Sequence, residues 1–209
     1  MLISYAHSLV LFAVPKTGST ALEYALAPCC DVKLTGAPAR RHTTMQMYAA
    51  RLEPKVRALC PVEPELVALV REPLDWLGSW YRYRGRPNMR APQNSTRGMS
   101  FDRFIEGYLS DVPPAPARLG TQTGFLSRQE GGCGATTLFP YERFAEAVAY
   151  LRRRLHAEAE PEVVNVSPPA LLSLSPELEA RLRQERGADF ALHRQAVAGW
   201  PDLAARIGA

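Results

Sequence analysis

The stretch LVLFAVPKTGSTALEYAL, residues 9–26, decides the fold. Residues 9–14 form a continuous, branched apolar run, the composition of a strand buried on both faces of a parallel sheet. Pro15 ends the run, and residues 19–27 carry a helical composition that Pro28 stops. Between strand and helix stand Lys16, Thr17, Gly18, Ser19 and Thr20. A loop that feeds a helix N-terminus presents free N–H groups and the positive end of the helix dipole, which favour an anion. Gly18 lets the backbone close around a phosphate, the hydroxyls add donors, and Lys16 adds a point charge. The bland alternative is an incidental strand-to-helix turn.

The order of residues is not that of a nucleoside-triphosphate loop. That motif places its lysine after the last glycine of G-x-x-x-x-G-K-[ST]. Here Lys16 precedes Gly18, and no glycine lies upstream. A triphosphate site also expects an acidic residue at the end of a later strand to hold magnesium. The next buried strand, residues 66–70, runs instead into Arg71-Glu72. An arginine at a strand's carboxyl end can aim its planar fork at a phosphate. Ser79 follows eight residues later on a helix predicted over 73–83, about two turns on and able to share that face. Arg71 alone reads more readily as half of a structural ion pair, and the lysine loop upstream turns the reading toward a phosphate.

Taken together, PKTGST (15–20) and LVREPLDWLGS (69–79) resemble sulfotransferases that use 3′-phosphoadenylyl sulfate (PAPS). The first is similar to that family's 5′-phosphosulfate loop. The arginine-to-serine spacing of the second is similar to its 3′-phosphate site. Less specific echoes are TQTGFL (121–126), LFPYERFAEAVAYL (138–151), NVSPP (165–169) and GADFALH (187–193), so the resemblance spans most of the chain. It implies a P-loop NTPase-like sulfotransferase fold, with Pro15 to Thr20, Arg71 and Ser79 binding the donor. It implies Lys16 beside the bridging oxygen, no obligatory metal, and a hydroxyl of a carbohydrate or small molecule as acceptor. At 209 residues the chain is short for the family, which points to trimmed acceptor loops and leaves residues 86–98, rich in Pro, Asn, Ser, Thr and Arg, as an exposed, flexible candidate.

An acceptor hydroxyl needs a general base. His42, in ARRHTTMQMY, is the first choice: it precedes a helix that Thr43 or Thr44 can cap, and imidazole titrates near neutrality. Members of the family use a histidine or a glutamate in this region. Glu23, four residues after Ser19, is the runner-up, although an acid in the first turns also simply complements the helix dipole. His7, His156 and His193 have no supporting context. Trp76, Trp80, Tyr81 and Tyr83 at helical spacing read as core, or as a face on which adenine or a sugar could stack.

The bulk properties agree with one α/β domain, a mainly parallel sheet flanked by helices. Further strands are expected at 136–139 and 163–166, and helices at 44–59, 101–109, 142–156, from Ser175-Pro176 to Gly187, and along the tail. The net charge of +4 is local: Arg82, Arg84, Arg86, Arg90 and Arg97 fall within one stretch free of acids, suited to an anion or to a solvated rim. A nucleic-acid role would rest on that stretch alone and is not expected. Four cysteines with no C-x-x-C spacing read as reduced thiols of a cytoplasmic protein, and no basic leader or membrane span is expected. Two other readings stay open: a P-loop kinase with a rearranged cradle, and a degenerate fold that binds a nucleotide or sulfated glycan without turnover.

Overall fold

The computed structural model describes residues 1–89, 91–161 and 172–208. β1 (Leu2–Ser4) and β2 (Leu9–Leu11) pair antiparallel around a turn in which Ser8 takes a left-handed φ of 46°. From β2 the chain passes through the lysine loop into α1 (Ser19–Leu26), and β3 (Val32–Lys33) then pairs antiparallel with the far side of β1. The short α2 (Pro38–Arg41), α3 (Met45–Arg51) and α4 (Glu53–Leu59) lead to β4 (Glu65–Val70), which lies parallel to β2 with Val10 opposite Leu66. After α5 (Pro73–Arg84), α6 (Phe101–Leu109) and α7 (Gln122–Leu126), β5 (Thr137–Pro140) pairs parallel with β4. α8 (Phe144–Leu155), α9 (Pro176–Glu185), α10 (Gly187–Ala198) and α11 (Trp200–Ile207) follow.

The sheet order is β3-β1-β2-β4-β5. An α/β fold on one sheet is as expected, but the sheet is mixed rather than mainly parallel, because β1 runs against both its neighbours. Three residues are too few for a periodic signal, and all three of β1 are buried, so no alternation betrays the strand. The strand expected at 163–166 and the NVSPP segment lie outside the described residues, as does Arg90.

β4 alternates in the way a strand covered on both faces must. Val67 and Leu69 pack with Leu22 and Leu26 of α1, Leu151 and Leu155 of α8, and Leu203 of α11. Leu66, Ala68 and Val70 face the other layer, with Met45 and Tyr48 of α3, Phe125 of α7, and Leu192 and Ala196 of α10. A third cluster joins Trp76 and Leu77 of α5 to Phe104, Ile105 and Tyr108 of α6, Leu182 of α9 and Phe190 of α10. Each buried Leu, Val, Ile, Met or Phe among these contributes roughly 1.5–3 kcal/mol by leaving water.

Two predicted helices are divided. The helix expected over 44–59 breaks at Leu52, because Pro54 in the next turn lacks an N–H and its ring crowds the preceding turn. Gly187 ends one helix as expected but also starts α10 directly. The 86–98 loop is tied at its end: buried Thr96 donates from Oγ1 to the Tyr81 carbonyl at 2.8 Å. Among the described residues no helix is long and apolar enough to cross a membrane.

Candidate functional site at the carboxyl ends of β2, β4 and β5

In a parallel α/β sheet, ligands gather beyond the carboxyl ends of the strands. The lysine loop leaves β2 at that end, Arg71 directly follows β4, and Tyr141 directly follows β5. Lys16 and Gly18 both adopt left-handed backbone, with φ of 66° and 72°. Gly18 meets this demand freely, whereas Lys16 does so at a cost in strain. A Cβ at Gly18 would also fall 2.5 Å from the Phe144 ring, so the start of α8 closes one side of the loop.

The loop's carbonyls are held from α5 and β4. Trp76 Nε1 donates to the Pro15 carbonyl at 2.8 Å, and Arg71 Nη1 donates to the Lys16 carbonyl at 3.1 Å. In a trans peptide the N–H points opposite to its C=O. Anchoring these two oxygens therefore turns the N–H groups of Lys16 and Thr17 away from their anchors. The N–H groups at the start of α1 have no carbonyl one turn back to bond, which completes a donor set suited to an anion. Thr17 has a different task from the one expected of its hydroxyl: Oγ1 donates to the Val14 carbonyl at 2.9 Å and braces the turn. Ser19 and Ser79 are both buried, at 9% and 8% exposure.

Arg71 is the hub. Its Nε donates to Asp75 Oδ2 at 2.6 Å, and its guanidinium lies 4.4 Å from the centroid of the Tyr141 ring. Gln122 clamps its main chain, accepting from the Arg71 N–H at 2.9 Å and donating to the Arg71 carbonyl at 2.7 Å. Asp189, buried at the start of α10, accepts from the N–H groups of Gln122 and Thr123 at 3.2 and 2.8 Å. Three of the less specific sequence echoes thus converge on Arg71: TQTGFL through Gln122, LFPYERF through Tyr141, and GADF through Asp189. Asp75 is the residue that the sequence reading missed. Its place one helical turn after Arg71 was the available signal.

Positive charge surrounds Lys16. Burial is the main reason its amine is pushed down to about 8, with Arg86, Arg71 and Arg82 adding repulsion. Arg82 shares Asp75 with Arg71, at 3.6 Å. Arg84 does not belong to this group. It is buried and donates to the carbonyls of Ala115, Pro116 and Arg118, so it braces the segment after α6 rather than facing an anion.

His42 ends α2, and its Nδ1 lies 2.7 Å from the carbonyl of Ala13, three residues before Lys16. A carbonyl only accepts, so Nδ1 carries the proton and Nε2 keeps its lone pair. Burial pushes the imidazole below its ordinary value, with the Ala13 bond opposing and Arg41 adding to the shift. Thr44, rather than Thr43, caps α3, accepting from the Met47 N–H at 3.3 Å.

Glu23 is occupied elsewhere. Arg41 Nη2 donates to its Oε1 at 3.3 Å, and Nε stands 3.0 Å from Oε2 outside hydrogen-bond geometry. The pair ties α1 to the residue beside His42, which makes Glu23 a brace for the imidazole and a poor base. Glu23→Gln is expected to lower the unfolding free energy by roughly 2–3 kcal/mol, less than a fully buried pair because Arg41 is partly exposed. Urea denaturation at neutral pH measures this, and an unchanged midpoint would remove the structural role.

Neither a protein-family model, nor a curated protein, nor a solved structure matches the chain.

Proposed function

We propose that the chain is a PAPS-dependent sulfotransferase of P-loop-like fold, moving a sulfuryl group to a hydroxyl of a carbohydrate or small molecule. The observation that carries this reading is the bond from Arg71 to the Lys16 carbonyl, which joins the two phosphate-type motifs at the ends of neighbouring parallel strands. A lysine ahead of the glycine, with an arginine rather than a magnesium ligand on the next strand, suits a phosphosulfate bearing a 3′-phosphate.

When bound, PAPS supplies a sulfuryl group activated on a phosphosulfate anhydride. The loop and the first turn of α1 hold its 5′-phosphate by backbone N–H groups, while Arg71 and Ser79 take the 3′-phosphate. His42 Nε2 accepts the proton of the acceptor hydroxyl as that oxygen bonds to sulfur. Lys16 neutralises the charge left on the 5′-phosphate oxygen as the sulfur–oxygen bond breaks. The chain's task is positioning and charge stabilisation, as in phosphoryl transfer.

The test is incubation with sulfur-labelled PAPS and a panel of hydroxylated acceptors. Label in an acceptor, together with release of 3′-phosphoadenosine 5′-phosphate (PAP), is the expected result. Tight PAPS binding with no labelled product across the panel would favour a binding protein without turnover. Magnesium-dependent consumption of ATP would favour a kinase.

A further inference from the structure

Lys16 is held by its side chain as well as by its backbone. Its Nζ lies over the Tyr83 ring, 4.2 Å from the centroid, and 5.8 Å from that of Trp80. Trp80 packs edge-on against Tyr83 and against Trp76, with centroids 5.9 and 6.1 Å apart. Positions 76, 80 and 83 share one face of α5, spaced four and three apart. That face therefore grips the carbonyl of residue 15 through Trp76 and the ammonium of residue 16 through Tyr83.

We propose that Tyr83, backed by Trp80, is the positioning residue for the Lys16 ammonium, its ring face fixing where Nζ stands and favouring the charged over the neutral amine. A ring quadrupole attracts a cation and has no such attraction for a neutral amine. The surroundings make that attraction matter. Arg71 from the end of β4, Arg82 from α5 and Arg86 from the turn after it all repel the ammonium. Asp75, the carboxylate paired with two of these cations, is shared by Arg71 and Arg82. Arg86 also lies over the Tyr83 ring, at 5.0 Å, so one ring serves two cations. The consequence for rate rests on the sulfuryl-transfer reading, whereas the ring-to-amine platform does not.

The chain has three lysines, at 16, 33 and 55, so their amines can be followed singly after reductive methylation with carbon-13 formaldehyde, each assigned by a Lys→Arg variant. Position 83 is then occupied in turn by Tyr, Phe, and Phe carrying increasing fluorine, which weakens the ring quadrupole while keeping the ring's shape and the fold. The platform predicts that Tyr83→Phe leaves the Lys16 midpoint at the wild-type value. Stepwise fluorination lowers it, by about half a pH unit at the far end of the series. Lys33 and Lys55 stay constant as controls of folding. Tyr83→Leu lowers the Lys16 midpoint at least as far. A midpoint unmoved by fluorination, or Tyr83→Phe shifting it as far as Tyr83→Leu, would overturn the proposal. In turnover of PAPS the same series lowers kcat with KM nearly constant. A falling midpoint in a protein that never turns over PAPS would keep the platform and remove the sulfuryl-transfer reading.

Discussion

On the sulfuryl-transfer reading, Lys16→Ala is expected to lower kcat by about three orders of magnitude or more. Removing one charge-stabilising donor costs ~10²–10³ in a preorganised site, and here the lost group is a full cation. The half-buried, arginine-ringed amine is already held by Tyr83, so its stabilising effect needs little rearrangement during reaction. The substitution leaves the backbone anchors in place, because Trp76 and Arg71 bond to main-chain oxygens. PAP binding should therefore fall far less than turnover. Lys16→Arg restores charge but not rate, since a planar guanidinium does not reproduce the point charge over the ring. Comparable losses in PAP affinity and in kcat would instead make Lys16 a simple binding residue. The amine must be charged to act, so kcat/KM, which reports the free enzyme, declines as pH rises through about 8.

The second large effect belongs to His42. His42→Asn keeps a donor for the Ala13 carbonyl and removes the imidazole lone pair, and kcat is expected to fall ~10²–10³-fold with PAPS affinity near wild type. The pH profile separates this from a structural loss. A base must be neutral, and burial holds His42 below the ordinary histidine range, so the acid limb of kcat/KM lies below about 6.5. His42→Asn removes that limb while the alkaline limb, set by Lys16, stays. An acid limb that survives the substitution would assign the base to another group. The imidazole's folded-state value is lowered, so folding also favours its neutral form, and stability declines as pH falls through the ordinary histidine value.

The strand, loop and helix of residues 9–26 were readable because each depends on near neighbours, a branched run and a glycine where the backbone turns left-handed, although the strand stops at Leu11 rather than running to Pro15. Arg71 was readable for the same reason, standing at the end of a continuous apolar strand. What the sequence could not show is how these parts grip one another. The clamp from Arg71 through Gln122 to Asp189 spans elements 51 and 67 residues apart, and no local pattern marks it. Glu23 and His42 were both candidates for the base. Only the Arg41 contact separates them, occupying one and leaving the other beside the loop. In the sequence the aromatic face of α5 reads as core or as a stacking surface. Trp76 is core, 3% exposed, yet it also holds the loop, and Tyr83 carries the lysine. The antiparallel β1 escaped notice because three buried residues carry no period, while the break at Pro54 was present in the sequence and overridden by the apolar spacing around it.

The most direct measurement is the affinity of PAP against that of ADP, by calorimetry on the wild type and on Arg71→Ala. A charged hydrogen bond to the 3′-phosphate is worth ~1.5–3 kcal/mol, so PAP should bind the wild type about ten- to a hundredfold more tightly than ADP. Arg71→Ala should erase most of that preference. ADP binding the wild type as tightly as PAP, or a preference for PAP that persists without Arg71, would contradict the account.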